Sequence, residues 1–141
     1  MKISIGADHR GFALKTRIVD HFDEHEWLDV GCYAPQRTNY PLFAKRVCQD
    51  VLDGTAERGV LLCGSGVGMS VAANRHPKIY AALCWNAEIA RMAREDDGTN
   101  VLVLPADFVD VETVFNMLDI WLSAEFKGGL YQRRLEMIDE E

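Results

Sequence analysis

Short apolar runs of strand length alternate along the chain with longer stretches in which apolar residues return every three or four positions, the pattern of a parallel sheet covered by helices. Five strands are expected, at residues 3–7, 27–30, 60–63, 79–83 and 101–104. The third and fifth are almost wholly apolar, as suits strands buried on both faces. Between them, Leu14, Ile18 and Phe22 recur at four-residue steps with Val19 beside them, and Leu42, Phe43, Val47 and Val51 repeat the theme. Further helices are expected at 67–74, at 87–94 behind an Asn86 cap, and from Val111 behind an Asp110 cap through Trp121. The fold class is therefore α/β, a three-layer α/β/α sandwich around a five-stranded parallel, Rossmann-like sheet.

A chain of 141 residues suits one domain, so residues 1–141 are read as a single unit. After Gly128-Gly129, the tail at 130–138 mixes Leu130, Tyr131, Leu135, Met137 and Ile138 with Arg133 and Arg134. It is too short to hold as an isolated helix and is expected to dock, either on its own domain or on the partner in a homodimer.

Charge and composition narrow the possible functions. With 48% hydrophobic and 26% charged residues the composition is that of an ordinary globular protein. Fifteen Lys and Arg against 22 Asp and Glu leave a net charge of -7, which disfavours nucleic acid. No apolar run approaches the ~20 residues that span a bilayer, and the N-terminus enters a strand directly, so no membrane partner is expected and the cytoplasm is the expected location. Cys32, Cys48, Cys63 and Cys84 lie far apart with no C-x-x-C pair, which argues for free thiols and against a zinc site.

Ligands of parallel α/β sheets bind beyond the carboxyl ends of the strands, and three strand-adjacent segments carry unusual chemistry. The densest is Cys63-Gly64-Ser65-Gly66-Val67-Gly68-Met69-Ser70, between the third strand and a helix. Three glycines in five residues let backbone approach a ligand, with N–H groups free to hold an anion or oxyanion. The spacing departs from the dinucleotide fingerprint, and the P-loop lysine, the phosphatase arginine and the G-x-S-x-G elbow are missing. What remains is a thiol, Cys63, beside an oxyanion hole, an arrangement suited to proton abstraction next to a carbonyl.

The second segment is Gly6-Ala7-Asp8-His9-Arg10-Gly11-Phe12. Asp8 is either a helix cap or a ligand for sugar hydroxyls, and His9 either donates to a phosphate or moves protons. The third, Arg94-Glu95-Asp96-Asp97-Gly98-Thr99-Asn100, reads by itself as a solvated acidic turn closing a helix. Tyr40-Pro41 and His76-Pro77 read as turns, and His21 and His25, placed on the first helix, are given no role.

These segments, with Arg37-Thr38-Asn39-Tyr40-Pro41, Ala72-Ala73-Asn74, Thr99-Asn100-Val101-Leu102 and Trp121-Leu122, resemble the type B ribose-5-phosphate isomerases and the related galactose-6-phosphate and allose-6-phosphate isomerases over nearly the whole chain. The resemblance implies an aldose–ketose isomerase of carbohydrate metabolism, with the pentose phosphate pathway first in line. It implies a sugar phosphate as partner, no metal or other cofactor, and a homodimer or a tetramer of such dimers. Carried over, it makes Cys63 the base of a cis-enediolate mechanism, with Ser65 beside an anion hole built by Gly64, Gly66, Val67 and Gly68. Asp8, His9, Tyr40 and Asp97 would bind substrate, and Arg134 would hold its phosphate.

The sequence departs from the family pattern at several positions. Asp96 stands where relatives have a ring-opening histidine and is expected to act as the acid or base there. Asp97 replaces an asparagine, and Asp107 and Leu130 occupy usual arginine positions, leaving Arg134, with Arg133, Arg10 or Arg37, for the phosphate. Two alternatives stand beside this reading: an isomerase of a different or unphosphorylated sugar, and a catalytically silent sugar-phosphate-binding homologue. A thiol-dependent redox or acyl-transfer enzyme ranks behind these.

Overall fold

The computed structural model of the chain describes residues 1–140. Five parallel strands, β1 (Lys2–Ala7), β2 (Glu26–Asp29), β3 (Arg58–Cys63), β4 (Ala81–Leu83) and β5 (Val101–Pro105), form one sheet in the order β2-β1-β3-β5-β4. Six helices accompany them: α1 (Phe12–His21), α2 (Tyr40–Leu52), α3 (Val67–Ala73), α4 (Ala87–Asp97), α5 (Val111–Ser123) and α6 (Leu130–Asp139). None of them is long and apolar enough to cross a membrane.

Side chains alternate across a strand, and that alternation divides the core into two layers. Val60 and Leu62 of β3, with Leu102 and Leu104 of β5, pack on α1, α4 and α5 through Ile18, Ala90, Val114 and Trp121. Leu61 and Cys63, with Val101 and Val103, face the other way, onto Phe43, Val47 and Cys48 of α2 and Met69 and Ala73 of α3. The expected five-stranded α/β/α arrangement is thus the observed one, and Cys63 belongs to the α2/α3 side.

Several local expectations shift. β4 is only three residues long because Ile79 and Tyr80 find other partners: the Tyr80 N–H donates to Asn100 Oδ1 (2.9 Å), and Asn74 brackets Ala81 from its other edge (2.9 and 3.0 Å). α4 continues three residues past Arg94, so Asp96 and Asp97 are its last turn rather than a loop. Gly98 closes it at φ 54°, with its N–H and that of Thr99 returning to the carbonyls of Arg94 and Ala93. His21 ends α1 and stacks on Phe115, while His25 lies beyond the helix with Nδ1 3.1 Å from the N-terminal amine.

The tail forms a ten-residue helix by docking on its own chain. Leu135 is buried and, with Phe126, packs over Gly98. The Asp139 carboxylate accepts from the Lys78 N–H (3.2 Å) and from the Tyr80 hydroxyl. Leu130, Met137 and Ile138 stay exposed, so one face of the helix is unpartnered within the chain.

Two buried thiols and a partly buried phenol make alkaline stability predictable. Burial pushes the Cys48 thiol from 9.0 up to about 11 and the Cys84 thiol to about 12, and burial followed by the Asp139 contact pushes the Tyr80 phenol to about 12. All three folded values lie above the unfolded ones. Their contribution is fully present below the unfolded values and is lost as pH rises through the folded ones, because the unfolded chain releases these protons first. The urea midpoint is therefore expected to hold near neutrality and to fall from about pH 9 upwards; a midpoint unchanged at about pH 10.5 would contradict the assignment.

Candidate active site

Strand order determines where the chain can build a site. β1 connects to β2 on one side, and β2 then crosses back to β3 on the other, so the connections diverge between β1 and β3 and a crevice opens at their carboxyl ends. A cavity of about 410 Å³ lies there, lined by Asp8 and Arg10 after β1, Cys63, Gly64, Ser65 and Gly68 at and after β3, and Asp107 and Phe108 after β5. Tyr40, the first residue of α2, completes it.

Cys63 ends β3, is 5% exposed, and is the one cysteine that lines this cavity. Cys48 and Cys84, fully buried and with thiols pushed to high pKa, are unsuited to act as thiolates. Beyond Cys63 the chain turns through Gly66 at φ 78°, a left-handed conformation that places its Cα against Leu83 and Val103. Among the described residues, the N–H groups of Gly64, Ser65 and Gly66 donate to no protein acceptor, and the Val67 N–H is taken by Ser65 Oγ (3.2 Å). The loop thus presents open donors beside the thiol. Val67, expected in the anion hole, does not line the cavity and its N–H is already taken, so it stands outside the donor set. Gly68 is glycine for a packing reason: a Cβ there would come 2.7 Å from Cζ of Tyr40, whose ring lies over it.

Asp8 serves as both a cap and a cavity residue. Its Oδ1 accepts from the N–H groups of Arg10 (2.9 Å) and Gly11 (3.2 Å), which orders the turn into α1, and its side chain borders the cavity. His9 is held by a reciprocal pair with Thr38: its N–H donates to Thr38 Oγ1 (3.1 Å), and its Nδ1 accepts from the Thr38 N–H (3.2 Å). An Nδ1 that accepts fixes the neutral ring's proton on Nε2, so His9 offers a donor. It stands beside the cavity rather than in its wall.

Asp96, Asp97 and Arg134 are elsewhere. A helix that joins two parallel strands runs back to the amino edge of the sheet, and Asp96 and Asp97 end α4 there, a strand's length or roughly 15 Å from the carboxyl edge. Asp96 accepts from Lys127 Nζ (2.7 Å), and Asp97 borders a separate cavity of about 670 Å³ beneath α6, with Tyr80, Leu135 and Asp139. The Arg134 guanidinium lies 5.4 Å over the Tyr131 ring. One chain therefore gathers Asp8, Tyr40, Cys63 and the glycine loop, and leaves Asp96, Asp97 and Arg134 on the opposite edge. Phe108 is an addition to the cavity wall, and Arg10 and Asp107, both placed at the phosphate end by the resemblance, are joined there as an ion pair; the β5 carboxyl end is the signal that points to 107 and 108.

A family model for ribose/galactose isomerases matches residues 3–138. The chain belongs to the ribose/galactose isomerase family. It is 40% identical to ribose-5-phosphate isomerase B of Escherichia coli (strain K12) over 97% of this chain and 93% of that relative. The crystal structure of a ribose 5-phosphate isomerase from Thermotoga maritima superposes with a TM-score of 0.97 at 42% identity, covering 99% of this chain and 98% of that one. Ribose-5-phosphate isomerase B from Mycoplasma genitalium with bound ribulose-5-phosphate superposes at 0.93 and 36% identity, covering 98% and 93%. This ribose/galactose isomerase family member therefore shares the fold of its relatives end to end.

Proposed function

We propose that the protein is an aldose–ketose isomerase that interconverts ribose 5-phosphate and ribulose 5-phosphate. The observation that carries this reading is one cavity in which the Cys63 thiol stands beside unpartnered loop N–H groups, in a chain of the ribose/galactose isomerase family. The Cys63 thiolate removes the proton from C2 of the open-chain aldose. The C2–H electrons form the C1–C2 double bond, and the developing negative charge on O1 is met by the loop donors. Return of the proton to C1, with the O2 proton passing to O1, gives the ketose; nothing is oxidised or reduced overall. Asp8 and Tyr40 bind hydroxyls, Ser65 supports the loop, and the His9 Nε2–H faces the anionic end.

An NMR time course in D₂O tests this. Ribulose 5-phosphate should form from ribose 5-phosphate with solvent deuterium entering at the exchanged carbon; absence of conversion overturns the reading.

A second copy completes the site in this proposal, bringing its own α4 end, with Asp96 and Asp97, and its Arg134 to the cavity mouth. Leu42 (60% exposed), Val67, Val71 (55%), Trp85 (56%) and Phe108 (76%) support it, because they leave apolar surface uncovered around the carboxyl edge. With four free cysteines, the homodimer fits a reducing cytoplasm and the pentose phosphate pathway. Sedimentation equilibrium should find a dimer, and a monomer at micromolar concentration would contradict the shared site.

A further inference from the structure

The Arg10–Asp107 ion pair is the charged feature of the cavity wall to which the isomerisation steps above give no task. Its position is tightly determined. The pair lies directly on Gly64, where an added Cβ would come 2.7 Å from both Arg10 Nε and Asp107 Oδ2. The backbone beneath Asp107 is bonded to the catalytic loop, with the Asp107 N–H donating to the Gly64 carbonyl (3.0 Å) and the Ala106 N–H to that of Cys63 (2.9 Å). The backbone of Asp107 is therefore fixed relative to the oxyanion loop, which keeps its carboxylate at the mouth of the cavity beside Arg10.

The charge of the wall follows from its members. Asp8 and Asp107 are the carboxylates, and Arg10 is the one lysine or arginine that lines the cavity. Lys15, the nearby buried cation after β1, is already held by Asp29 (2.6 and 2.7 Å) and the Cys32 carbonyl (2.7 Å). A phosphate dianion that reaches Arg10 must share the guanidinium with Asp107 or displace that carboxylate and leave it facing the phosphate, and both arrangements set like charges side by side. A hydroxylated, uncharged end meets no such opposition, because one hydroxyl can donate to Asp107 while another accepts from Arg10.

We propose that Asp107 is a specificity-determining residue: by pairing with Arg10 over Gly64 it weakens recognition of a phosphate at this end of the cavity and favours a sugar that presents hydroxyls there. The proposal rests on the isomerase reading for its turnover measurement but has a binding measurement of its own.

The test compares the parent with Asp107→Asn, which removes the charge and keeps the shape. The ratio of kcat/KM for ribose 5-phosphate to that for ribose should rise about tenfold in Asp107→Asn, and calorimetric titration with inorganic phosphate should show tighter binding by a similar factor that shrinks in high salt. Adding Arg10→Gln to Asp107→Asn should remove the gain, since Arg10 is the cation released. An unchanged ratio with unchanged phosphate affinity, weaker phosphate binding in Asp107→Asn, or a gain that survives Arg10→Gln overturns the proposal. If neither protein turns over either sugar, the isomerase reading fails, while the phosphate titration still decides the role of Asp107.

Discussion

Cys63→Ala is expected to lower kcat for aldose–ketose conversion by about 10³–10⁴, the full contribution of a positioned base, equivalent to ~4–5.5 kcal/mol of barrier. Cys63 ends a buried central strand and points to the α2/α3 layer, so the change deletes one sulfur from a wall and moves no backbone. Stability should drop by only about 1 kcal/mol, small against the loss of rate. The contrast between a near-normal urea midpoint and vanished turnover separates a chemical role from a structural one. No other thiol can substitute, because Cys32 does not line the cavity and Cys48 and Cys84 are enclosed in the core with pKa values pushed to about 11 and about 12. A variant that retains a tenth of the parental kcat would remove Cys63 from the chemistry.

Gly66→Ala is expected to cost about 10²-fold in kcat with a smaller change in KM, since donors aimed at developing charge act on the transition state more than on the bound substrate. At φ 78° a Cβ-bearing residue loses ~1–2 kcal/mol. The new methyl would also run into Leu83, with the Pro105 nitrogen and Val103 both at 3.4 Å. The Leu83 tip can rotate aside, whereas alanine does not hold the left-handed φ cheaply, so the loop relaxes and turns the Gly64–Gly66 N–H groups away from the thiol. Near-UV circular dichroism checks that the variant is folded before kinetics are read. A folded variant with kcat within about threefold of the parent would show that the loop donors are dispensable.

How much of this was legible from the chain varies element by element. The apolar runs at 60–63 and 101–104 read as buried central strands, and β3 and β5, like β1, have neighbours on both sides and are buried along nearly their whole length. The run 79–83 has the pattern of a strand, yet β4 starts two residues later because the Ile79 N–H returns to the His76 carbonyl and the Tyr80 N–H is taken by the Asn100 side chain, twenty positions away. The end of α4 was underread for a complementary reason: Glu95-Asp96-Asp97 resembles a solvated turn until Gly98 is seen closing a helix and receiving Leu135 from the tail.

The site divides in the same way. Cys63 and its glycines were visible because a thiol and three glycines crowd eight positions. Thr38 as the partner that sets the His9 tautomer, Tyr40 as the reason for Gly68, and Arg10 paired with Asp107 were not, since each joins residues that local pattern does not connect.

By itself the sequence determined the sandwich class, the strand and helix periods, the thiol and the glycine loop, because these depend on side chains within a few residues of one another. Tertiary structure alone decided that β1 lies against β3. That pairing, with β5 on the other flank of β3, brings residues 8, 40, 63 and 107 to one carboxyl edge, while α4 runs back and carries 96 and 97 to the other, where α6 and Arg134 dock. The physical reason is that a parallel sheet aligns the same ends of all its strands while its helices carry the chain back, so residues a hundred positions apart can share a cavity and residues joined by a single helix cannot.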